Sequence, residues 1–190
     1  MNKEIDKKTS HWIVNEKAFF DNWDYQINDR PSFSVNVMPT YIKAPDHQRT
    51  KKLEDLRKYA NIEELEEGLF KDSNYKDPEL SKSVWDYVHT MKIDDDLIVI
   101  STQSVPIILG VGKISSNYLY KKDSKDAKHI RDVQWSFLVN YGNIALPYHA
   151  YYPKWFVLRN GYLFNTEMFG TNLYNEIVEE IEKYKKELKY

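Results

Sequence analysis

The sequence predicts an α+β fold: a small, strongly curved β-barrel of about six strands with helices packed around it. Three observations lead there. Short apolar runs rich in β-branched residues recur at 97–100, 107–114 and 133–139, each of strand rather than helix length. Asn160-Gly161 joins two more apolar runs within 154–165, the strongest short hairpin signal a chain carries. Helical periodicity falls between the early strands and at the C-terminal end, which places helices around a sheet.

Taken in order, residues 1–10 are charged and non-periodic, a loose lead-in. Residues 11–15 (HWIVN) read as a first strand, and Ala18, Phe19, Phe20 and Trp23 follow at helix-compatible spacing. Over 33–38, Phe33, Val35 and Val37 alternate with Ser34, Asn36 and Met38, the period of a half-exposed strand, and Pro39 ends it. From 46 to 73 the chain turns charged, and a thin stripe of Leu53, Leu56, Ile62, Leu65 and Leu69 predicts two short surface helices.

Asp77-Pro78 supplies an N-cap followed by proline at the first helical position, opening a helix with Leu80, Val84, Tyr87, Val88 and Met91 on one face and Trp85 at its edge. Asp94, Asp95 and Asp96 read as a solvated turn before the strand at 97–100. Gly110 and Gly112 interrupt the next strand, marking a bulge or a close approach by another backbone or ligand. The last helix, 171–190, carries Leu173, Ile177, Ile181, Tyr184 and Leu188 on one face. Its Glu179, Glu180 and Glu182 precede Lys183, Lys185 and Lys186, the order that suits the helix dipole. One domain is expected at this length.

Composition narrows the function classes. At 190 residues the chain buries one core of ordinary size. No run of eighteen apolar residues and no signal-peptide pattern is present, so no membrane role and a cytoplasmic location are expected. Zero cysteine removes disulfides, thiolate catalysis and sulfur-ligated zinc. Fifteen tyrosines and five tryptophans, in contrast, suit surfaces made for contact.

Motifs of catalysis and cofactor binding fail on spacing. Gly110-Val111-Gly112-Lys113 lacks a P-loop's first glycine, where Ile107 stands, and its Ser or Thr, where Ile114 stands. Ser115 occupies the third glycine position of a dinucleotide fingerprint. The five histidines show no ligand-pair spacing, no serine sits in a nucleophile elbow, and the triple Asp reads better as a turn than as a nuclease cluster. No catalytic residue, no metal ligand and no cofactor is expected.

What remains is a basic, aromatic stretch. Lys113, Lys121, Lys122, Lys125, Lys128 and Arg131 against Asp123 and Asp126 leave a local net charge of +4 on a chain of −2. Such a patch attracts phosphate backbones, although solvated loop lysines look the same in a sequence. Tyr118 and Tyr120 alternate, so both rings point one way, to stack on a base or to pack over the barrel mouth. Trp135 and Trp155 are expected in the core, whereas Trp12 and Trp85 adjoin polar residues and read either way.

The order HWIVN, VWDYV, IDDDLIVISTQSVPIILGVGKISSNYLY and HIRDVQW resembles the EVE domain of the PUA-like superfamily, a relative of the YTH domain. The resemblance spans about 11–158 and leaves 43–77 aside as a helical insertion; it implies one reader domain over 11–165, with the helix of 166–190 leading into a further domain. It implies a reader of modified bases, as found at the N-terminus of McrB-like restriction GTPases, with a GTPase domain of its own and a nuclease subunit as partners. It further implies base flipping of N6-methyladenine or 5-methylcytosine out of duplex DNA into an aromatic pocket. By position that pocket comprises Trp12, Asn36, Met38, Tyr41, Ser101, Gln103, Tyr118 and Tyr120. Lys113, Lys121, Lys122, Lys125, His129 and Arg131 are the expected DNA-backbone contacts. An RNA-binding PUA-like module and a protein-interaction scaffold stand as alternatives.

Overall fold

A curved mixed sheet, half a barrel in outline, runs through the middle of an α+β fold with helices against it. The computed structural model describes residues 9–15, 41–101, 107–125, 127–138, 144–145, 163–165 and 173–187. In chain order these form β1 (His11–Asn15), β2 (Tyr41–Lys43), α1 (His47–Thr50), a 3-10 turn (Leu56–Lys58) and α2 (Ile62–Phe70). Next come α3 (Pro78–Trp85), which runs on into a π-helical turn (Asp86–Thr90), then β3 (Asp96–Ser101), β4 (Ile107–Ile114) and β5 (Leu119–Tyr120). β6 (His129–Leu138), β7 (Ile144–Ala145), β8 (Leu163–Asn165) and α4 (Leu173–Glu187) complete the described elements.

The strand order is β2-β6-β4-β3-β1-β8, with β5 pairing β6 and β7 pairing β4. β1 lies parallel to β3, Trp12 opposite Leu97 and Val14 opposite Val99, and the other described pairings are antiparallel. Leu97, Ile98, Val99 and Ile100 are each at most 1% exposed, so β3 is buried on both faces, as its uninterrupted apolar run requires. On one face Trp12, Val14, Leu97 and Val99 pack with Leu65, Leu69 and Phe70 of α2 and with Leu80 and Val84 of α3. On the other, His11 stacks on Tyr174 of α4 at 3.8 Å, and alternation puts Ile13 and Ile98 on that same side. Burial of each large apolar side chain contributes about 1.5–3 kcal/mol.

Helix ends follow the sequence. The Asp77 carboxylate accepts the Leu80 N–H at 3.1 Å, and Pro78 takes the first position of α3. Asn61 accepts the Glu64 N–H at 2.9 Å while the Glu64 carboxylate returns to the Ala60 N–H at 3.0 Å, a reciprocal cap on α2.

Two local expectations change. Residues 46–73 are only partly at the surface: Leu56, Leu65, Leu69 and Phe70 join the main core, while Arg57, Lys58, Glu63 and Glu67 stay exposed. Asp95 and Asp96 are buried rather than solvated. Asp95 accepts the Trp12 Nε1–H at 2.8 Å, the Lys92 N–H at 2.8 Å and the Ser10 N–H at 3.1 Å, and such a donor set offsets the cost of burying a carboxylate. Only Asp94 keeps the exposed turn position, at φ 74°. The basic, aromatic stretch contains β5 and the start of β6.

Gly112 does mark a bulge, between Val111 and Gly112 where β4 meets β6. A Cβ there would lie 2.8 Å from the Gln134 carbonyl oxygen and 2.9 Å from Val133 Cγ1, so the approach of β6 demands glycine. The helix expected after 16, the strand at 33–38 and the turn at 160–161 lie outside the described residues. No described helix is long and apolar enough to cross a membrane.

Candidate nucleic-acid interface

The expected contacts divide according to where β6 sends its side chains. Arg131 is 2% exposed. Its Nε–H donates to the Tyr87 carbonyl at 2.6 Å, Nη2 to the Val88 carbonyl at 3.1 Å and Nη1 to the Ser116 carbonyl at 3.1 Å. Its guanidinium also stands 5.6 Å from the centre of the Tyr87 ring, whose hydroxyl donates to the Ile42 carbonyl at 2.8 Å. The π-helical turn explains the demand for a cation: the Met91 N–H bonds back to the Asp86 carbonyl, and Arg131 takes the carbonyls of Tyr87 and Val88 at the negative end of the helix. Burial pulls the guanidinium's pKa down from its ordinary value, yet an arginine stays charged. Arg131 therefore braces α3 against the sheet and does not face a phosphate.

His129 is likewise fully buried, which removes it from the expected backbone contacts. Its Nδ1 lies 2.6 Å from the Tyr118 hydroxyl. That hydroxyl accepts the Leu56 N–H at 3.1 Å, leaving its own proton for His129. Burial pushes the Tyr118 phenol well above its ordinary range, so it stays protonated and able to donate. Tyr118, 4% exposed, is thus a strut between the 3-10 turn and β6 rather than a pocket wall.

Tyr120 comes through differently. Half-buried, it stacks on the His129 ring at 5.2 Å and 23°, and so is backed by a rigid pair of rings. The hairpin beyond it is closed by the Lys121 N–H to the Lys128 carbonyl at 2.7 Å and by the Ser124 N–H to the Lys121 carbonyl at 3.1 Å. Ser124 Oγ accepts the Ala127 N–H at 3.2 Å, tightening the turn. Lys121, Lys122 and Lys125 are exposed on it. These three cations and Tyr120 are the predicted site residues that the hairpin presents at the surface, with Tyr118 and His129 buried beneath them.

The remaining residues go elsewhere. Trp12, 1% exposed and bonded to Asp95, belongs to the core, a correction to its place in the pocket. Lys113 is exposed but donates to Asp96 at 2.8 Å, beside His11 (Nδ1 to the same carboxylate, 2.9 Å) and Tyr174, a group on the α4 side of the sheet. Tyr41 is half-buried on β2, opposite Asp132. Asn36, Met38 and Gln103 lie outside the described residues. Ser101 ends β3, its backbone paired with Ile107.

Sequence reasoning missed Arg57, Lys58 and Tyr59. The Arg57 guanidinium lies over the Tyr118 ring at 5.6 Å, Lys58 Nζ over the Tyr59 ring at 5.4 Å, and Lys58 is within electrostatic reach of the Tyr120 phenol. A signal was present: Arg-Lys-Tyr at 57–59 mirrors Tyr-Lys-Lys at 120–122. Among known families, a model described as "Domain of unknown function (DUF8426)" matches residues 46–148, just over half of the chain. The match takes in the charged segment, α3, the buried strand β3 and the aromatic hairpin together. No curated protein and no solved structure matches the chain.

Proposed function

We propose that the chain, which belongs to the DUF8426 family, is a DNA-binding recognition module that reads a methylated base in duplex DNA by flipping it out. It carries no catalysis of its own in this reading. The supporting observation is the partly exposed Tyr120 ring, backed by His129 and bordered by Lys121, Lys122 and Lys125. A ring held from beneath offers a stacking platform at little entropic cost, and stacking on an aromatic side chain is worth about 1–3 kcal/mol per base. Unstacking costs a few kcal/mol, so one platform together with phosphate contacts offsets it. A methyl group adds about 0.8 kcal/mol when fully buried.

The module works in the cytoplasm on N6-methyladenine or 5-methylcytosine, and delivers a restriction GTPase and its nuclease subunit to the site. Single-stranded RNA is the second reading, favoured because a half-exposed Tyr120 can stack an unpaired base without any flipping. A duplex carrying 2-aminopurine next to the methylated base separates the two. The proposal expects its fluorescence to rise on binding, as the base leaves the stack, and Tyr120→Ala to abolish the rise. Binding with unchanged fluorescence would rule out flipping.

A further inference from the structure

The segment that reads as an insertion ends up beside the aromatic hairpin, and the contacts that hold it there are internal. Leu56 is 1% exposed, and its N–H is fixed by the Tyr118 hydroxyl, which also binds His129, the ring beneath Tyr120. The 3-10 turn is thus locked in place relative to the stacking platform. Its exposed side chains are Arg57 and Lys58, and the Arg57 guanidinium lies 5.6 Å from the centre of the Tyr118 ring, two residues before Tyr120.

We propose that Arg57 and Lys58 are phosphate contacts of the same nucleic-acid surface, held in reserve by intrachain carboxylates that the DNA backbone displaces. The inference rests on the DNA-binding reading above and extends it to a second chain segment. Arg57 grips Asp55, with Nε 3.0 Å from both carboxylate oxygens, and Lys58 Nζ meets the Glu54 carboxylate at 3.1 Å. Both pairs are open to water, with 58% and 46% of the two cationic side chains exposed, and exposed ion pairs contribute little to stability. A phosphate can replace such a carboxylate without a large loss, and the planar guanidinium suits either partner. The carboxylates offset these two cations while no DNA is bound: Asp55 meets Arg57 and Glu54 meets Lys58.

Salt-dependent binding of the full chain to a plain duplex oligonucleotide tests this. Each phosphate contact contributes about 0.9 to the slope of log K against log salt, so Arg57→Gln with Lys58→Gln should flatten the slope by about 1.8 and weaken binding. Glu54→Gln should do the reverse, strengthening binding about two- to threefold at low salt because Lys58 no longer has a competing carboxylate. A structural role for the pair would not produce that gain. Lys183→Gln on α4, a lysine paired with Glu180 on the other side of the sheet, should change neither. An unchanged slope in the double variant, or no gain from Glu54→Gln, overturns the inference while leaving the DNA-binding reading intact. A wild-type chain that binds no duplex overturns both.

Discussion

Arg131 shows how far a residue's identity falls short of its role. In the sequence it is one more cation in a basic stretch, and its burial is settled by the Tyr87 and Val88 carbonyls, 44 and 43 residues earlier, that accept from it. Nothing in the local pattern encodes that pairing. Its removal in Arg131→Ala should cost on the order of 3–5 kcal/mol, since buried carbonyls lose their donors and a cavity opens. Arg131→Lys should also be destabilising, because an ammonium cannot reproduce the planar fork. Urea unfolding measures both, and an Arg131→Lys variant as stable as the wild type would return this residue to the surface. Asp95 follows the same logic: a run of three acids looks solvated until the indole of Trp12 and two backbone N–H groups arrive to pair with the middle one.

Elements were far more legible than residues. The strands at 97–100 and 107–114 were readable because their apolar runs have strand length, and α3 because Asp77-Pro78 announces its start. Gly112 was readable as a close approach, and Gly112→Ala should destabilise by about 1–3 kcal/mol, since its methyl meets backbone that β6 cannot withdraw. A thermal melt of that variant matching the wild type would mean that β4 and β6 are less tightly registered. The two-residue strand β5 was not legible, being too short to show a period.

The docking of α4 carries a pH signature. Burial first, and the Asp96 charge second, push the Tyr174 phenol from 10.0 up to about 12. The folded state thus holds this proton more tightly than the unfolded state, so the contribution is complete below pH 10 and is lost as pH rises towards about 12. Denaturation midpoints below and above pH 10 should therefore fall less in Tyr174→Phe than in the wild type. Equal falls in both would detach Tyr174 from the docking of α4.

At the scale of the whole molecule, the α+β class and the curved sheet were predictable because the periodicities along the chain agree with one another. The interface was only half predictable. Tyr120, Lys121, Lys122 and Lys125 do gather on one hairpin, whereas Trp12, Tyr118, His129 and Arg131 turn inward, held by hydrogen-bond partners distant in the chain or in the core. The placement of Arg57 and Lys58 beside that hairpin comes from the burial of Leu56 and its N–H bond to the Tyr118 hydroxyl, contacts that no local pattern reveals. A braced platform of stacked rings stands beside exposed lysines, and the function proposed for it is recognition of a modified base. Its most direct test is a titration of the chain with paired duplexes at one fixed salt concentration, identical except for N6-methyladenine or 5-methylcytosine. The account predicts tighter binding of one methylated duplex than of its plain twin, by a factor of a few for about 0.8 kcal/mol of methyl burial. Equal affinity for every methylated and plain pair would contradict it.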